Sequence, residues 1–192
     1  FMGKATTEAA VVEQGYGDIE TTFANAHKVV EIDVKVSRHT GVPMECRGAI
    51  GRYDEARDVL EMYGAAKVPH RNRDTLCRML NRPASGMHLF EGHTGGGFGI
   101  RGELYPEDVL VCVAAMRLGR PVKWIEDRQE HLMAANHSRQ QRHIIRAAVA
   151  EDGEIVGLDD ELYLDQGGYI RTHGPRVANM TTGTLPGPYR FP

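Results

Sequence analysis

The chain has 192 residues, a formal net charge of −3 and 26% charged residues, a composition that is ordinary for a globular protein. The negative charge argues against a nucleic-acid-binding surface, and no apolar run approaches the roughly 20 residues that a membrane-spanning helix needs. Cys46, Cys77 and Cys112 are widely separated and odd in number. We therefore expect free thiols of a cytoplasmic protein, with neither disulfides nor a metal site.

The first part of the chain carries strand patterns followed by one helix pattern. Residues 29–36 alternate apolar and polar side chains over the length of a strand. Residues 47–53 and 59–63 are predicted to pair as a hairpin around a short polar segment. Pro69 fits the first turn of a helix, which residues 81–83 are expected to end.

The middle of the chain is predicted to form a strand over residues 87–92 and then two helices around a short strand. Pro106 opens a helix that is apolar on nearly all sides as far as Leu118, so we expect it to be largely buried. Residues 122–125 form the short strand, and a capping-box pattern at Asp127 begins the next helix.

The last part of the chain carries two long strand patterns, over residues 139–150 and 154–164. Residues 152–153 are Asp-Gly, a strong signal for a hairpin turn between them. Residues 167–192 are rich in Gly, Pro and Thr and are predicted to be a loop-rich tail, and residues 1–10 are predicted to be disordered. Together the elements predict an α+β fold in which about three helices pack on a mixed sheet in two layers.

The densest glycine cluster of the chain lies in H-T-G-G-G-F-G-I-R-G-E, residues 93–103. Four of the five residues from Gly95 to Gly99 are glycine, and the fifth is Phe98. Glycine adopts positive φ and lets backbone N–H groups approach a ligand closely. A turn of this kind ahead of a helix favours the binding of an anion.

The same segment also fits a dinucleotide-binding fingerprint. Gly97, Gly99 and Gly102 match G-x-G-x-x-G, and Glu126 ends the next strand at about the distance expected for a ribose-binding acid. The polar character of residues 87–93 argues against this interpretation, because the central strand of a parallel sheet is a near-continuous apolar run. An NAD(P)-binding domain stays open as an alternative.

Four short motifs follow one another along the chain. They are P-M-E-C-R-G-A at 43–49, G-G-G-F-G at 95–99, L-G-R-P-V-K-W at 118–124 ahead of E-D-R at 126–128, and G-P-Y-R-F-P at 187–192. Together and in this order they resemble the motifs of the molybdenum hydroxylases, the family of xanthine dehydrogenase, aldehyde oxidase and the large chain of carbon monoxide dehydrogenase. The family usually has proline where this chain has Cys46. Because the motifs span nearly the whole chain, residues 1–192 are identified as the first molybdopterin-binding domain of such a large subunit, truncated at the domain boundary.

The resemblance implies that the glycine loop lies against a molybdenum–pterin cofactor. The cofactor-binding residues that it implies are Gly95, Gly96, Gly97, Phe98, Gly99, Ile100 and Arg101. Arg101 takes the family's usual lysine position, where its charge would serve a phosphate. Phe98, Gly102 and Glu103 are implied on the substrate side. Xanthine-type members carry a glutamate at the position of Gly102, so the resemblance does not extend to xanthine specificity.

The resemblance also assigns a role to Lys67. The family carries S-T-Q before P-H, and its glutamine bonds the oxo group of the molybdenum, whereas residues 65–67 of this chain are Ala-Ala-Lys. A lysine is a cationic donor where the family has a neutral one, and it would still donate to an oxo ligand. The family's catalytic glutamate lies beyond the end of this chain, so no catalytic residue and no metal ligand is assigned here.

The implied activity is that of an oxidoreductase that hydroxylates an aldehyde, a heterocycle or a CO-like substrate with water. The implied cofactor of the full-length parent is molybdenum–molybdopterin in its cytosine dinucleotide form, which we expect to be absent from this chain alone, leaving it inactive. The implied partners are the remainder of the large subunit, an Fe–S small subunit, an FAD medium subunit or domain, and a small-molecule substrate, without nucleic acid or membrane. The competing function is a non-catalytic small-ligand or interaction module on the same fold.

Overall fold

The computed structural model describes residues 7–64, 68–170 and 174–191. These residues form seven strands: β1 (Lys28–Val36), β2 (Gly48–Asp54), β3 (Val59–Gly64), β4 (Met87–Phe90), β5 (Val122–Ile125), β6 (Gln141–Val149) and β7 (Ile155–Leu164). They also form five α-helices: α1 (Ile19–Ala24), α2 (Pro69–Leu80), α3 (Pro106–Leu118), α4 (Arg128–Ala134) and α5 (Gly174–Thr184). The predicted α+β class is confirmed.

The chain folds as two compact units. The central unit is Thr40–His137, and the outer unit is formed by the chain up to His39 and from Ser138 onward. The strands are accordingly divided between two sheets. The central unit contains a mixed sheet in the order β4-β3-β2-β5, in which β3 and β4 are parallel and the other neighbours are antiparallel.

The core of the central unit lies between this sheet and the helices α2 and α3. Leu60, Leu76 and Cys112 are fully buried in it, one each from β3, α2 and α3. The helix α3 approaches β2 so closely that a Cβ on Gly51 would lie 2.4 Å from the carbonyl oxygen of Val111. A glycine at this position of β2 is therefore what allows the helix to pack directly on the strand.

The prediction that α3 is largely buried is wrong. Val111, Cys112 and Ala115 are buried where the helix packs on the sheet, but Leu110 and Leu118 are 62% and 56% exposed. The apolar composition of a helix indicates which of its residues favour burial. The neighbouring elements determine which of those residues are in fact covered.

The outer unit is built on an antiparallel sheet in the order β1-β6-β7. The predicted hairpin between β6 and β7 forms, with Gly153 at φ +92° in its turn. The helix α1 packs against β7. On β1, the alternate residues Val30, Ile32 and Val34 share one face and are 43%, 50% and 39% exposed, so this sheet presents apolar surface to solvent.

The prediction of a loop-rich tail over residues 167–192 is wrong at α5. Threonine disfavours helices partly because its hydroxyl competes for backbone groups. In α5 these hydroxyls donate back to carbonyls one turn earlier, Thr181 to Val177 at 2.8 Å and Thr184 to Met180 at 2.7 Å. The polar side chains are thus satisfied within the helix.

Three further expectations concern the cysteines, the N-terminal end and membrane helices. All three cysteines are free, and Cys77 and Cys112 are buried while Cys46 is half-buried. Of residues 1–10, residues 7–10 have no regular secondary structure and the others lie outside the described residues, so the expected disorder stays a prediction. No helix in the described part of the chain is long and apolar enough to cross a membrane.

Candidate functional site

The two parallel strands β3 and β4 position the glycine loop, Gly95–Gly99. Segments that follow neighbouring parallel strands leave from the same end of a sheet, where ligands of α/β proteins commonly bind. Tyr63 and Phe90 are paired at this end, and their rings stack with centroids 4.7 Å apart. The glycine loop follows β4. The segment that follows β3 contains Lys67, which lies outside the described residues.

The carbonyl groups of the glycine loop are bonded to the protein itself. Gly95 O accepts from the backbone N–H of Glu45 at 3.4 Å, Gly96 O from Arg101 Nε at 2.8 Å, and Gly97 O from the backbone N–H of Ile100 at 2.8 Å. The N–H groups behave differently: Gly96, Gly97, Phe98 and Gly99 donate to no acceptor within the described residues. Consecutive unbonded backbone donors next to bonded carbonyls favour an anionic ligand.

Three residues of the loop have backbone conformations in the left-handed region. Gly96, Phe98 and Gly99 have φ of +101°, +47° and +91°. For Phe98, the one non-glycine among them, this conformation costs on the order of 1–3 kcal/mol. Its side chain is 72% exposed, and a Cβ on Gly96 would lie 2.8 Å from its ring. The loop therefore presents an aromatic ring that folds over its own glycine backbone.

Arg101 connects the glycine loop to the 43–49 motif. It is 3% exposed, and its guanidinium donates to three carbonyl oxygens, those of Gly96, Glu45 and Cys46, each at 2.8 Å. It also pairs with the Glu45 carboxylate at 3.0 Å, which in turn accepts from the backbone N–H of Gly95 at 2.6 Å. The charge that the resemblance assigns to a phosphate is directed at the chain's own groups.

The 118–128 motif holds the 43–49 motif from its other side. Glu126 accepts from the backbone N–H of Arg47 at 2.8 Å and from its guanidinium at 2.9 and 2.7 Å. Arg128 donates to the carbonyl oxygens of Pro43 at 2.6 Å and Met44 at 2.9 Å. Three of the four sequence motifs are thus joined in the central unit by hydrogen bonds.

A buried charged network lies behind this junction. The side chains of Glu126 and His131 are fully buried, with His131 Nδ1 at 2.5 Å from the Glu126 carboxylate. Burial raises the pKa of Glu126, but the hydrogen bonds from Arg47 and His131 outweigh it and lower the pKa, so the carboxylate stays ionised. The Arg47 guanidinium also lies over the Tyr105 ring, 3.7 Å from its centroid.

The residues after the loop face the protein interior. Ile100 is 3% exposed, and its carbonyl accepts from Tyr105 Oη at 2.9 Å. Gly102 is buried and donates to the carbonyl of Gly99 at 3.2 Å. Glu103 is 5% exposed and accepts from Asn136 Nδ2 at 2.6 Å. Among the residues expected on the substrate side, Phe98 alone is exposed, and the roles of Gly102 and Glu103 stay predictions.

The geometry overturns the NAD(P)-binding alternative. In that fingerprint the helix begins within the glycine motif and places its N-terminus on the pyrophosphate. Here Ile100–Gly102 form a 3₁₀ turn, and α3 begins only at Pro106. The strand β4 lies at the edge of its sheet rather than at its centre.

Several residues that shape this site were not predicted as cofactor-binding residues. Glu45, Arg47 and Arg128 had no predicted role, and Glu126 had one only under the dinucleotide alternative, although all four stand inside the quoted motifs. His131 stands outside every motif, so the sequence contained no signal for it. Among the described residues, no group of His, Cys, Asp and Glu side chains is placed to hold a metal ion.

Comparisons with known proteins show the family to which the chain belongs. A family model for the molybdopterin cofactor-binding domain matches residues 3–192. The chain is 40% identical over 192 residues to the gamma subunit of the 6-hydroxypseudooxynicotine dehydrogenase complex of Paenarthrobacter nicotinovorans, covering 100% of this chain and 24% of that protein. It is 34% identical over 154 residues to the nicotine 6-hydroxylase large subunit of the same organism, covering 80% of this chain and 19% of that protein.

A solved structure of quinoline 2-oxidoreductase from Pseudomonas putida 86 matches with a TM-score of 0.72 and 34% identity, covering 76% of this chain and 18% of that chain. The chain spans about a quarter or less of the length of these relatives. The match over nearly every residue and the likeness in fold confirm the resemblance carried by the four motifs. The chain belongs to the molybdopterin cofactor-binding domain family of the molybdenum hydroxylases.

Proposed function

We propose that this chain forms the molybdopterin-binding part of an oxidoreductase that hydroxylates a carbon centre with oxygen from water. The observation that carries the proposal is the row of four backbone N–H groups, Gly96 to Gly99, that lack an acceptor within the described residues. They lie in the glycine loop, the segment that resembles the family's cofactor-binding loop. An Fe–S subunit and an FAD subunit would supply the groups that accept the electrons.

The residues present fit an anionic cofactor. A Cβ on Gly95 would lie 2.6 Å from Glu45 Cβ, and one on Gly96 would lie 3.1 Å from Pro43 Cβ. Glycine at these positions therefore lets the loop pack directly against the 43–49 motif, while the unbonded amides from Gly96 onward stay available to an anion. When bound, the molybdenum–pterin group supplies the two-electron oxidation of the substrate carbon.

The chain's own residues bind, orient and exclude water. The N–H groups of Gly96 to Gly99 would hold the cofactor's anionic groups, and the exposed Phe98 ring would form an apolar wall beside the substrate. Lys67, which stands at the family's glutamine position in the sequence, would be a further donor to the cofactor. Gly102 leaves no acidic contact for a xanthine-type substrate.

The substrate is an aromatic nitrogen heterocycle. The names of the relatives refer to nicotine, a nicotine derivative and quinoline. A flat aromatic ring such as that of Phe98 stacks favourably on another aromatic ring, by about 0.5–1.5 kcal/mol beyond area burial. A diatomic such as CO gains nothing comparable from such a wall.

The proposal extends to the assembly and the form of the cofactor. The partners are the remainder of the large subunit, an Fe–S small subunit and an FAD medium subunit, in the cytoplasm. The cofactor is the cytosine dinucleotide form of molybdopterin.

Expression of the full-length subunit with its partner subunits tests the proposal. Metal analysis should give molybdenum in stoichiometric amount, and chromatography of the released cofactor should give a cytosine nucleotide. Turnover should be found with quinoline-like or nicotine-like compounds and be absent with xanthine and CO. Complete absence of molybdenum would reject the proposal and support a non-catalytic module, in which Lys67 and Gly102 mark lost activity.

A further inference from the structure

We infer that Arg101 and Glu45 are positioning residues, which act as a clamp on the glycine loop. The clamp fixes the conformation of the loop, and its ion pair keeps the Glu45 carboxylate beside the loop neutralised. The inference rests on the proposed function for its catalytic consequence, but the clamp itself is a property of the fold. It differs from the role that the resemblance implies for Arg101, which is a direct contact with a phosphate.

Arg101 joins the glycine loop to the 43–49 motif. Its guanidinium bridges two segments that are far apart along the chain, because it bonds Gly96 O on the loop and Cys46 O on the other motif. A side chain that is 3% exposed has little surface left for a ligand. Charge-assisted hydrogen bonds are about twice as strong as neutral ones. These contacts therefore hold the glycine loop rigidly against the 43–49 motif.

Glu45 joins the start of the glycine loop to Arg101. One carboxylate oxygen accepts both from the Gly95 N–H at 2.6 Å and from Arg101 at 3.0 Å, while the side chain is 49% exposed. This bond occupies the Gly95 amide, so the row of unbonded donors begins at Gly96. Unpaired, the carboxylate would repel an anionic ligand, and the Arg101 guanidinium neutralises it.

The consequence for binding follows from entropy. Glycine loses more conformational freedom on ordering than any other residue, so a loop of four glycines is costly to fix when a ligand binds. The clamp holds the carbonyls of Gly95 and Gly96 inward before binding, which leaves less to be ordered by the ligand. Loss of the clamp should therefore weaken cofactor retention even though no cofactor contact is removed.

The test compares variants of the full-length protein by hydrogen exchange and by cofactor retention. In Arg101→Met, we expect the two hydrogen-bonded amides on either side of the unbonded row, those of Gly95 and Ile100, to exchange at least about tenfold faster. Molybdenum should be lost about tenfold faster on dialysis, since 1.4 kcal/mol corresponds to a factor of ten. Millimolar guanidinium should partly restore slow exchange in Arg101→Ala. Glu45→Gln keeps an acceptor and should stay near wild type, whereas Glu45→Ala should resemble Arg101→Met.

The matched control is Arg82→Met. Arg82 is another largely buried arginine of the central unit, and it bonds both the carbonyl and the carboxylate of one residue, Asp58. Its loss should lower the melting temperature without changing exchange in the glycine loop. Should Arg101→Met not fold, the Glu45→Gln and Glu45→Ala pair decides the question.

Unchanged exchange in the glycine loop of Arg101→Met, together with faster cofactor loss, would overturn the inference and make Arg101 a direct cofactor contact. Equal effects of Arg82→Met and Arg101→Met on the loop would overturn it as well. Wild-type protein without molybdenum would reject the proposed function, but the exchange comparison between the two arginine variants would still decide whether the clamp exists.

Discussion

Phe98 combines two properties that folding stability alone does not favour. Its backbone lies at φ +47°, and its large apolar side chain is 72% exposed. Strained backbone conformations cluster at ligand-binding sites, where the surrounding structure enforces them. Both properties therefore agree with a ring held in place for a ligand.

Replacing Phe98 with alanine should reduce function and leave stability nearly unchanged. The ring buries little surface in this structure, so the melting temperature should move by no more than about 2 °C. Loss of a stacking wall worth about 1 kcal/mol should lower kcat/KM for a heteroaromatic substrate about fivefold or more. Steady-state kinetics of the holoenzyme measure this, with Met79→Ala as control, since Met79 is an apolar residue of α2 that is 60% exposed. Unchanged kcat/KM in Phe98→Ala would remove Phe98 from the substrate wall.

Asp108 should make stability depend on pH in the opposite sense from an ordinary paired carboxylate. Burial raises the pKa of Asp108 from 3.8 to about 6. Between these values the folded state binds a proton more readily than the unfolded state. The contribution of Asp108 to stability is therefore greatest below about pH 4 and is lost as pH rises through about 6. The loss amounts to at most about 3 kcal/mol, since one pKa unit corresponds to 1.36 kcal/mol.

The variant Asp108→Asn should remove this dependence. Asparagine keeps an oxygen that can accept the Tyr105 N–H, which the carboxylate accepts at 2.9 Å, but it cannot ionise. Its stability relative to wild type should rise between pH 4 and pH 7, measured by urea denaturation at several pH values. Asp74→Asn on the surface of α2 controls for the loss of one carboxylate. A difference that stays constant across this range would contradict the prediction.

At the scale of elements, most of the helices and strands that can be predicted from the sequence are determined by local signals. The helix α4 begins at Asp127, whose side chain accepts from the Glu130 N–H at 2.8 Å while Glu130 accepts from the Asp127 N–H at 2.8 Å. This reciprocal capping is written in residues three positions apart and can be recognised in the sequence. Helix α5 has no such capping signal. Its threonines and glycines have low helix propensity, so its helical structure depends on tertiary contacts.

The same distinction separates the predicted and the missed parts of the site. The glycine loop is a continuous run of residues, so the sequence indicates its position and its suitability for an anion. Its support comes from pairs far apart along the chain, such as Arg101 with Glu45 and Arg47 with Glu126, 56 and 79 residues apart. No periodicity relates such residues. Only the fold shows that Arg101 faces inward.

A side chain should not be tolerated in the middle of the glycine loop, whereas one should be tolerated just before the loop, at Gly92. An alanine at Gly96 would combine φ +101° with contacts of 2.8 Å to the Phe98 ring and 3.1 Å to Pro43, so Gly96→Ala should cost about 1–3 kcal/mol and reduce molybdenum content. Gly92→Ala, where no atom lies within 4 Å, should be neutral or slightly stabilising. Denaturation curves and metal analysis of both variants check this. Equal stability and equal molybdenum content in the two would show that the loop backbone is not constrained.

At the scale of the whole molecule, the three motifs that build the site all lie within the central unit, whereas the fourth, at residues 187–192, belongs to the outer unit. The chain also spans only 24% of the length of its 40%-identical relative. The apolar face of the outer sheet fits a molecule that has further polypeptide to pack against. Exposed apolar faces of this kind drive association when they are left uncovered.

The 192-residue chain on its own should therefore self-associate through the face that carries Val30, Ile32 and Val34. Two neighbouring valines of β1 allow a matched test, because Val30 and Val29 are 43% and 45% exposed but lie on opposite faces of the strand. Burial of a valine side chain contributes about 1.5–3 kcal/mol, and a lysine there would oppose it. Val30→Lys should thus raise the dissociation constant for self-association, measured by light scattering, at least about tenfold more than Val29→Lys does. A wild-type chain that is strictly monomeric at high concentration, or equal effects of the two substitutions, would show that this face does not drive association.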